Sequence, residues 1–132
     1  MNIFENAKNS TKQGDIGEAR AIYEYTRLGY AVSKPLNDSC KYDLIVEKDN
    51  SLLRVQVKTS TYKTNENGYS INLRTFGGNR SRTKIQKRKK GDWDIIFILT
   101  SNNRIWSIPE EVLGNVSNSI VVGNVKYKDY EI

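Results

Sequence analysis

Residues 42–60 read YDLIVEKDNSLLRVQVKTS, and this pattern predicts a β-hairpin. Two runs rich in β-branched and other aliphatic residues flank KDNS at 48–51, a sequence typical of a tight turn. If Asp49 and Asn50 form a two-residue loop, Asp43 lies directly opposite Gln56, with the two Cβ atoms about 5 Å apart. The hairpin therefore places an acid beside an amide on neighbouring strands.

The second strand of this hairpin carries polar side chains on one of its faces. Alternation places Gln56 and Lys58 on one face of the sheet and Val55 and Val57 on the other. With Asp43 opposite, the polar side chains form a cluster on a face that we expect to receive a helix. A face covered by a helix is normally apolar, so an acid, an amide and a lysine on it indicate a functional site.

Residues 11–28 carry the pattern of a helix that ends at Gly29. At about 100° per residue, the predicted apolar arc comprises Ala19, Ala21, Ile22, Tyr23 and Tyr25, and the polar flank comprises Arg20, Glu24 and Arg27. Glu18 falls inside the apolar arc, where a carboxylate is costly to bury unless it is paired or bound to a metal ion. The alternative is an edge position from which Glu18 reaches water.

The rest of the chain is predicted to be mostly extended. Strands are expected at 30–34, 69–75, 94–100, 104–108 and 119–122, with one helical turn starting at Pro109. The near-continuous apolar run at 94–100 is typical of a buried central strand. One helix before a run of strands predicts an α+β or mixed α/β fold, and a length of 132 residues predicts a single domain.

The composition excludes several kinds of active site. The chain has no histidine and one cysteine, Cys40, so it has no imidazole base, no His-ligated metal and no internal disulfide. Catalysis must then use carboxylates, amides, lysines, tyrosines and a hard metal ion. No run approaches about 18 apolar residues and the first residues do not open a signal peptide, so we expect a cytoplasmic protein with no membrane contact.

The positive charge is concentrated in one segment. Lys and Arg total 21 against 15 Asp and Glu, and seven basic residues with no acid lie within 80–90: Arg80, Arg82, Lys84, Lys87, Arg88, Lys89 and Lys90. Without them the chain has 14 basic and 15 acidic residues. Such a segment suits DNA, and a solvated loop is the alternative. We expect a loop that leaves the sheet near Thr75 and returns at Asp94.

In this order along the chain, Glu18, Asp43 and Gln56-Val57-Lys58 resemble the PD-(D/E)XK nuclease superfamily. The closer resemblance is to endonucleases encoded by group I introns, and archaeal Holliday junction resolvases are similar over the first 60 residues or so. The resemblance covers about residues 11–110. It rests on GDIGEA at 14–19, YDL at 42–44, RVQVKT at 54–59, DIIF at 94–97 and IWSIP at 105–109.

The resemblance implies a restriction-endonuclease-like core, with a central mixed sheet and the first helix packed on one face. It implies that Asp43 and Glu18 bind Mg²⁺, or Mn²⁺ as a substitute, together with the backbone carbonyl of Val57. Lys58 and Gln56 would complete the catalytic set. Gln56 stands where the family usually has an acid, so the site would hold fewer anions and bind metal more weakly or as a single ion.

The expected function is therefore a metal-dependent DNA endonuclease, homing-type or otherwise guided by sequence. A structure-selective nuclease such as a Holliday junction resolvase is one alternative, and a DNA-binding module without cleavage is another. The partner is duplex or branched DNA. Because one site cuts one strand, cutting both strands would need a homodimer or a higher homo-oligomer.

Overall fold

The computed structural model describes residues 1–79 and 82–132, and only the backbone of 76–79 and 82–84. One long helix, α1 (Ser10–Arg27), precedes the strands of this described part. Two short 3₁₀ turns, Glu110–Leu113 and Lys128–Tyr130, lie near the end. The strands are β1 (Ala31–Ser33), β2 (Leu44–Lys48), β3 (Ser51–Ser60), β4 (Tyr69–Asn72), β5 (Thr75–Asn79), β6 (Arg82–Gln86), β7 (Ile95–Thr100), β8 (Ile105–Pro109) and β9 (Ser119–Val122).

The central sheet is mixed, as predicted. Its five strands lie in the order β1-β2-β3-β7-β8. β3 and β7 are parallel, and the other neighbours are antiparallel. The apolar run predicted as a central strand is β7, whose residues from Ile96 to Thr100 are all buried.

The hairpin turn is also confirmed. Leu44 pairs with Val55 and Lys48 pairs with Ser51, which leaves Asp49 and Asn50 as a two-residue loop. Both loop residues have positive φ, 53° and 63°. Asn and Asp tolerate this left-handed backbone better than most residues, and a loop of this kind matches the twist of the flanking strands.

Helix α1 covers one face of the sheet, but it is the opposite face to the one predicted. Ala21 and Tyr25 of the helix share a buried cluster with Val55 and Phe97 of the sheet. At Gly17, a Cβ would collide with the Thr59 side chain, so glycine permits the close approach of the helix. The expectation that the helix covers the face of Gln56 and Lys58 is wrong.

A second layer covers the other face of the sheet. Gln56 and Lys58 pair with Ile96 and Ile98 of β7. These isoleucines belong to a core cluster with residues of the small antiparallel β4–β9 sheet, such as Ile71. The sheet is therefore apolar on both faces. The alternation of side chains in the sequence distinguishes the two faces, but it does not show which of them the helix covers.

The buried face of α1 is rotated from the predicted arc. Gly17, Ala21, Glu24 and Tyr25 are buried, whereas Tyr23 is 60% exposed. Ile22, also predicted to be buried, and Ala19 are exposed as well. The physical reason is Glu24, whose carboxylate accepts hydrogen bonds from two flanking arginines and so can be buried. No helix in the described part of the chain is long and apolar enough to span a membrane.

The basic segment is partly a hairpin, and the expectation of a loop between 75 and 94 is wrong. β5 and β6 pair antiparallel, with Thr75 opposite Gln86 and Gly77 opposite Lys84. Three of the five residues of β5, Gly77, Gly78 and Asn79, are of types depleted in strands, which is why this pairing is not visible in the sequence. Arg80 lies outside the described residues.

Candidate active site

Asp43 lies at the start of β2 and reaches the neighbouring strand. Its backbone N–H donates to the carbonyl of Val55 at 2.8 Å, and its carboxylate accepts the N–H of Val57, also at 2.8 Å. The carboxylate therefore sits against the middle of β3, beside the Gln56-Val57-Lys58 sequence. The hairpin register predicted this juxtaposition from the sequence.

The carboxyl group of Asp43 is in an unfavourable electrostatic position. Burial raises its pKa above the ordinary value, and the negative charge of Glu18 raises it further. The Val57 N–H and the positive charges of Lys58 and Lys34 act in the opposite direction without cancelling the rise. Two carboxylates close enough to repel each other are a chemical reason to bind a cation between them.

Glu18 lies at the edge of the helix face, which was the alternative position in the sequence analysis. It is half-buried, and its carboxylate pairs with the ammonium of Lys34 beyond β1. Glu18, Lys34 and Asp43 line a cleft of about 130 Å³. Lys34 was not predicted, since only tertiary packing brings the residue after β1 to the helix.

Lys58 lies on β3 in a half-buried position. Its ammonium donates to the backbone carbonyl of Arg74 at 2.9 Å. Burial lowers the pKa of Lys58, and the charge of Asp43 offsets only part of this effect. Lys58 therefore lies near the Asp43 carboxylate, but the contacts of the described residues include no ion pair between the two.

Gln56 is only 8% exposed. On β3 it follows Val55, the partner of Leu44, so the register places it opposite Asp43. Its side-chain amide is therefore a neutral oxygen donor on the strand beside that acid.

The oxygen atoms around Asp43 and Glu18 are of the kind that a hard metal ion requires. Among the described residues, no group of three or more His, Cys, Asp and Glu side chains comes together. Glu18 and Asp43 bring two carboxylates to one cleft, and Gln56 and Val57 on the adjoining strand carry neutral oxygens. Oxygen donors without sulfur or nitrogen fit a hard divalent cation such as Mg²⁺ or Mn²⁺, which keeps several waters in its shell.

The predicted DNA-binding residues fall into different environments. Lys87, Lys89 and Lys90 are exposed. Arg82 and Lys84 lie on β6, where only the backbone is described.

Arg88 is the exception, because it is a core residue. It is 5% exposed, and its guanidinium reaches the Glu110 carboxylate and the Val116 carbonyl, each at 2.5 Å. It also lies 5.3 Å from the centre of the Trp93 ring. The prediction that Arg88 binds DNA is therefore wrong in this structure, since both terminal nitrogens of its guanidinium bind acceptors inside the protein.

Comparison with known proteins identifies the family of this site. Residues 8–130 match the family described as PD-(D/E)XK endonuclease. The chain belongs to the PD-(D/E)XK endonuclease family. As a member it is a nuclease, which confirms the resemblance drawn from Glu18, Asp43 and Gln56-Val57-Lys58. Nucleases of this family typically use divalent metal ions and act on DNA.

Two relatives support the family assignment. The chain is 33% identical to Protein 5.3 of Escherichia phage T7 over 104 residues, which are 79% of this chain and 84% of the relative. Among solved structures it resembles a bacterial homing endonuclease, I-Ssp6803I, with a TM-score of 0.72 and 27% identity. That match covers 91% of this chain and 82% of the homing endonuclease. The restriction-endonuclease-like fold is thereby confirmed.

Proposed function

We propose that this PD-(D/E)XK nuclease is a metal-dependent endonuclease that cuts DNA at a defined sequence, as a homing-type enzyme does. The observation that carries the proposal is the convergence of Asp43 and Glu18 on one cleft, beside the partly desolvated Lys58. The similarity to a homing endonuclease over most of both chains supports the choice of substrate.

The metal would be held by Asp43 and Glu18, with the Gln56 amide and the Val57 carbonyl as neutral oxygen donors. When bound, Mg²⁺ or Mn²⁺ would supply an acidified water and positive charge beside the phosphate. Lys34 would then release Glu18, which its side-chain exposure of 63% allows.

Lys58 would act on the attacking water or on the phosphate. Its ammonium can orient a water by hydrogen bonding, and its charge can stabilise the negative charge that develops on the phosphate oxygens. The lowered pKa also brings its neutral amine within reach as a base at high pH. The Arg74 carbonyl keeps the side chain extended in either role.

DNA would be held by the basic segment. The exposed Lys87, Lys89 and Lys90 are proposed to contact phosphates, together with Arg80, Arg82 and Lys84 of the same segment. A two-stranded ribbon such as β5–β6 has the dimensions that enter the major groove of B-DNA. Because one chain offers one site, a double-strand cut would require a homodimer or a larger homo-oligomer.

The second candidate function is DNA binding without cleavage. It is favoured by Gln56, which brings no charge to the metal, and by the Lys34 ammonium already paired with Glu18. The two functions differ in one observable, the metal-dependent breaking of a phosphodiester bond.

The test is to incubate the protein with supercoiled plasmid, linear duplex and a four-way junction, each with Mg²⁺, Mn²⁺ or EDTA. We expect cuts at a small number of plasmid positions in metal and none in EDTA. Preferred cutting of the junction would replace the homing-type proposal by a resolvase. Binding without any cut would establish the second candidate function.

The metal ligands are tested by titration. Glu18→Gln should lower the cutting rate and raise the metal concentration needed for half-maximal activity, because the site loses one of its two anions. Asp129→Asn, an exposed acid in the C-terminal 3₁₀ turn, is the matched control. An unchanged metal titration in Glu18→Gln would assign Glu18 a structural role.

A further inference from the structure

A second and larger groove lies next to the candidate active site. Its volume is about 500 Å³, in the range of pockets that bind small ligands. It runs from the N-terminal part of α1 across the end of β3 to the β4–β9 sheet. The lining residues that matter for its chemistry are Gln13, Thr59, Tyr62, Asn72, Arg74 and Asn118.

The groove is joined directly to the catalytic lysine. The Lys58 ammonium donates to the carbonyl of Arg74, and Thr59, the residue after Lys58, accepts a hydrogen bond from the Gln13 amide at 2.9 Å. Arg74 also immediately precedes β5 of the basic hairpin. Through Arg74 the groove therefore adjoins both Lys58 and the start of the basic hairpin that is proposed to hold DNA.

The chemistry of the groove suits a nucleotide. Every described residue that lines it has a hydroxyl, amide or guanidinium group, and none of them is a carboxylate. Arg74 is the one charged residue in this set. A single cation among neutral donors and acceptors matches one phosphate next to the hydrogen-bonding edge of a base. The same set offers too little charge to bind a metal ion and too little apolar surface to bind a lipid.

The polar groups of the groove are already oriented. The side-chain oxygen of Asn72 accepts from the backbone N–H of Arg74 at 2.9 Å and from its Nε at 3.2 Å. This leaves the amide NH₂ of Asn72 and the terminal nitrogens of Arg74 as donors. Tyr62 is 77% exposed, so its ring is available for stacking against a base.

We propose that this groove binds one nucleotide of the cleaved strand, next to the phosphate that is cut. Arg74 contacts the phosphate of that nucleotide, and the amides of Asn72 and Asn118 read the edge of its base. These residues thereby set the sequence preference at one position of the target. The inference rests on the proposed function, because it takes the neighbouring cleft as the site of cutting.

The first experiment measures DNA affinity in EDTA, where the substrate stays intact. Labelled duplex oligonucleotides are titrated with wild type, Arg74→Ala, Arg74→Lys and the control Lys128→Ala, which changes an exposed cation outside the groove. Arg74→Ala should reduce the slope of log affinity against log salt by about 0.9, and Arg74→Lys should restore it. Both variants keep the backbone carbonyl that holds Lys58. An unchanged slope in Arg74→Ala would overturn the phosphate contact.

The second experiment measures sequence preference. A randomised duplex library is selected on wild type and on the double variant Asn72→Ala/Asn118→Ala. We expect one selected position to lose about tenfold or more in preference while the other positions are kept, since a good base contact discriminates by about this factor. The same selected sequence in both proteins would overturn the assignment of base reading. Melting curves of the variants establish that they are folded.

The two proposals fail in different ways. If wild type binds DNA through Arg74, Asn72 and Asn118 but cuts nothing in metal, the proposed function is wrong, and the groove is a nucleotide-binding site with no cut beside it. If wild type cuts and all groove variants match it in slope and preference, the groove proposal is wrong and the nuclease stands.

Discussion

Helix α1 carries two acids that face lysines or arginines, and they differ in how completely they are satisfied. Glu24 is 5% exposed, and its two carboxylate oxygens accept hydrogen bonds from Arg20 and Arg27. Glu18 lies less than two turns earlier, and its half-buried carboxylate pairs with the single ammonium of Lys34. Glu24 thus has its hydrogen-bond partners on its own helix, whereas Glu18 shares a cleft with a second acid, Asp43.

A buried cation, Arg88, and a half-buried one, Lys58, differ in the same way. Arg88 has carbonyl and carboxylate acceptors on several sides, from Glu110, Gly114 and Val116. Lys58 has one carbonyl acceptor, and its pKa is lowered by burial. A buried cation held by several acceptors, a carboxylate among them, stabilises the fold, whereas a lysine with a lowered pKa beside two acids in a cleft indicates a functional site.

The largest expected effect is on catalysis. Asp43→Asn and Lys58→Met should each lower the rate of plasmid nicking in Mg²⁺ by at least about 10²–10³, because each removes charge from the transition state. DNA affinity in EDTA should stay within a few-fold of wild type, since neither residue belongs to the basic segment. Nicking at the wild-type rate in either variant would place the active site elsewhere.

The next largest effect is on stability, at the buried arginine. Arg88→Ala should destabilise the protein by about 3–5 kcal/mol in a urea titration, because the Glu110 carboxylate and the carbonyls lose their partner. Its salt slope for DNA should equal that of wild type. A stable Arg88→Ala protein with a flatter slope would return Arg88 to the DNA-binding surface.

For the three exposed lysines around Arg88 we expect the reverse, a change in DNA binding and none in stability. Replacing Lys87, Lys89 and Lys90 together with alanine should leave stability nearly unchanged and flatten the salt slope by up to about 2.7, since each phosphate contact contributes about 0.9. The measurement is anisotropy of a labelled duplex between low and moderate salt. A slope equal to wild type would make this part of the segment a solubilising surface only.

The smallest expected effects are on stability in EDTA, where Glu24 and Asp43 should contribute with opposite sign. Burial raises the pKa of Glu24, but the bonds from Arg27 and Arg20 outweigh it and the net pKa is lowered. The charged form of Glu24 therefore stabilises the fold above its ordinary pKa, and this is lost as pH falls through the lowered value. The pKa of Asp43 is raised, so its charged form opposes folding and its contribution worsens as pH rises through the raised value.

Amide substitutions should separate these two signs. At neutral pH in EDTA, Glu24→Gln should lower the melting temperature, because Arg20 and Arg27 lose a charged partner. Asp43→Asn should raise it by a few degrees, because the amide removes a buried charge and keeps an oxygen for the Val57 N–H. Added Mg²⁺ should raise the melting temperature of wild type and not of Asp43→Asn. A drop in both variants would mean that the two acids are equally structural.

Local pattern was enough to predict much of this molecule. The Asp49-Asn50 loop follows from two residues that tolerate positive φ, and it determines which residues face each other across the hairpin. The juxtaposition of Asp43 with Gln56-Val57-Lys58 then needs no further information, because strand register is set by loop length. The long apolar run of β7 likewise predicts a central strand, and the ordered acidic and lysine positions predict the family.

The sequence by itself therefore determined the hairpin, the central strand and the candidate site, while the tertiary structure decided which surfaces meet. Periodicity assigns side chains to faces, but in a sheet that is apolar on both sides it does not show which face the helix covers. Burial of Arg88 depends on a partner distant in sequence, Glu110, 22 residues away. The same dependence brought Lys34 to Glu18 and Arg74 to Lys58, because these contacts exist only once separate layers have packed.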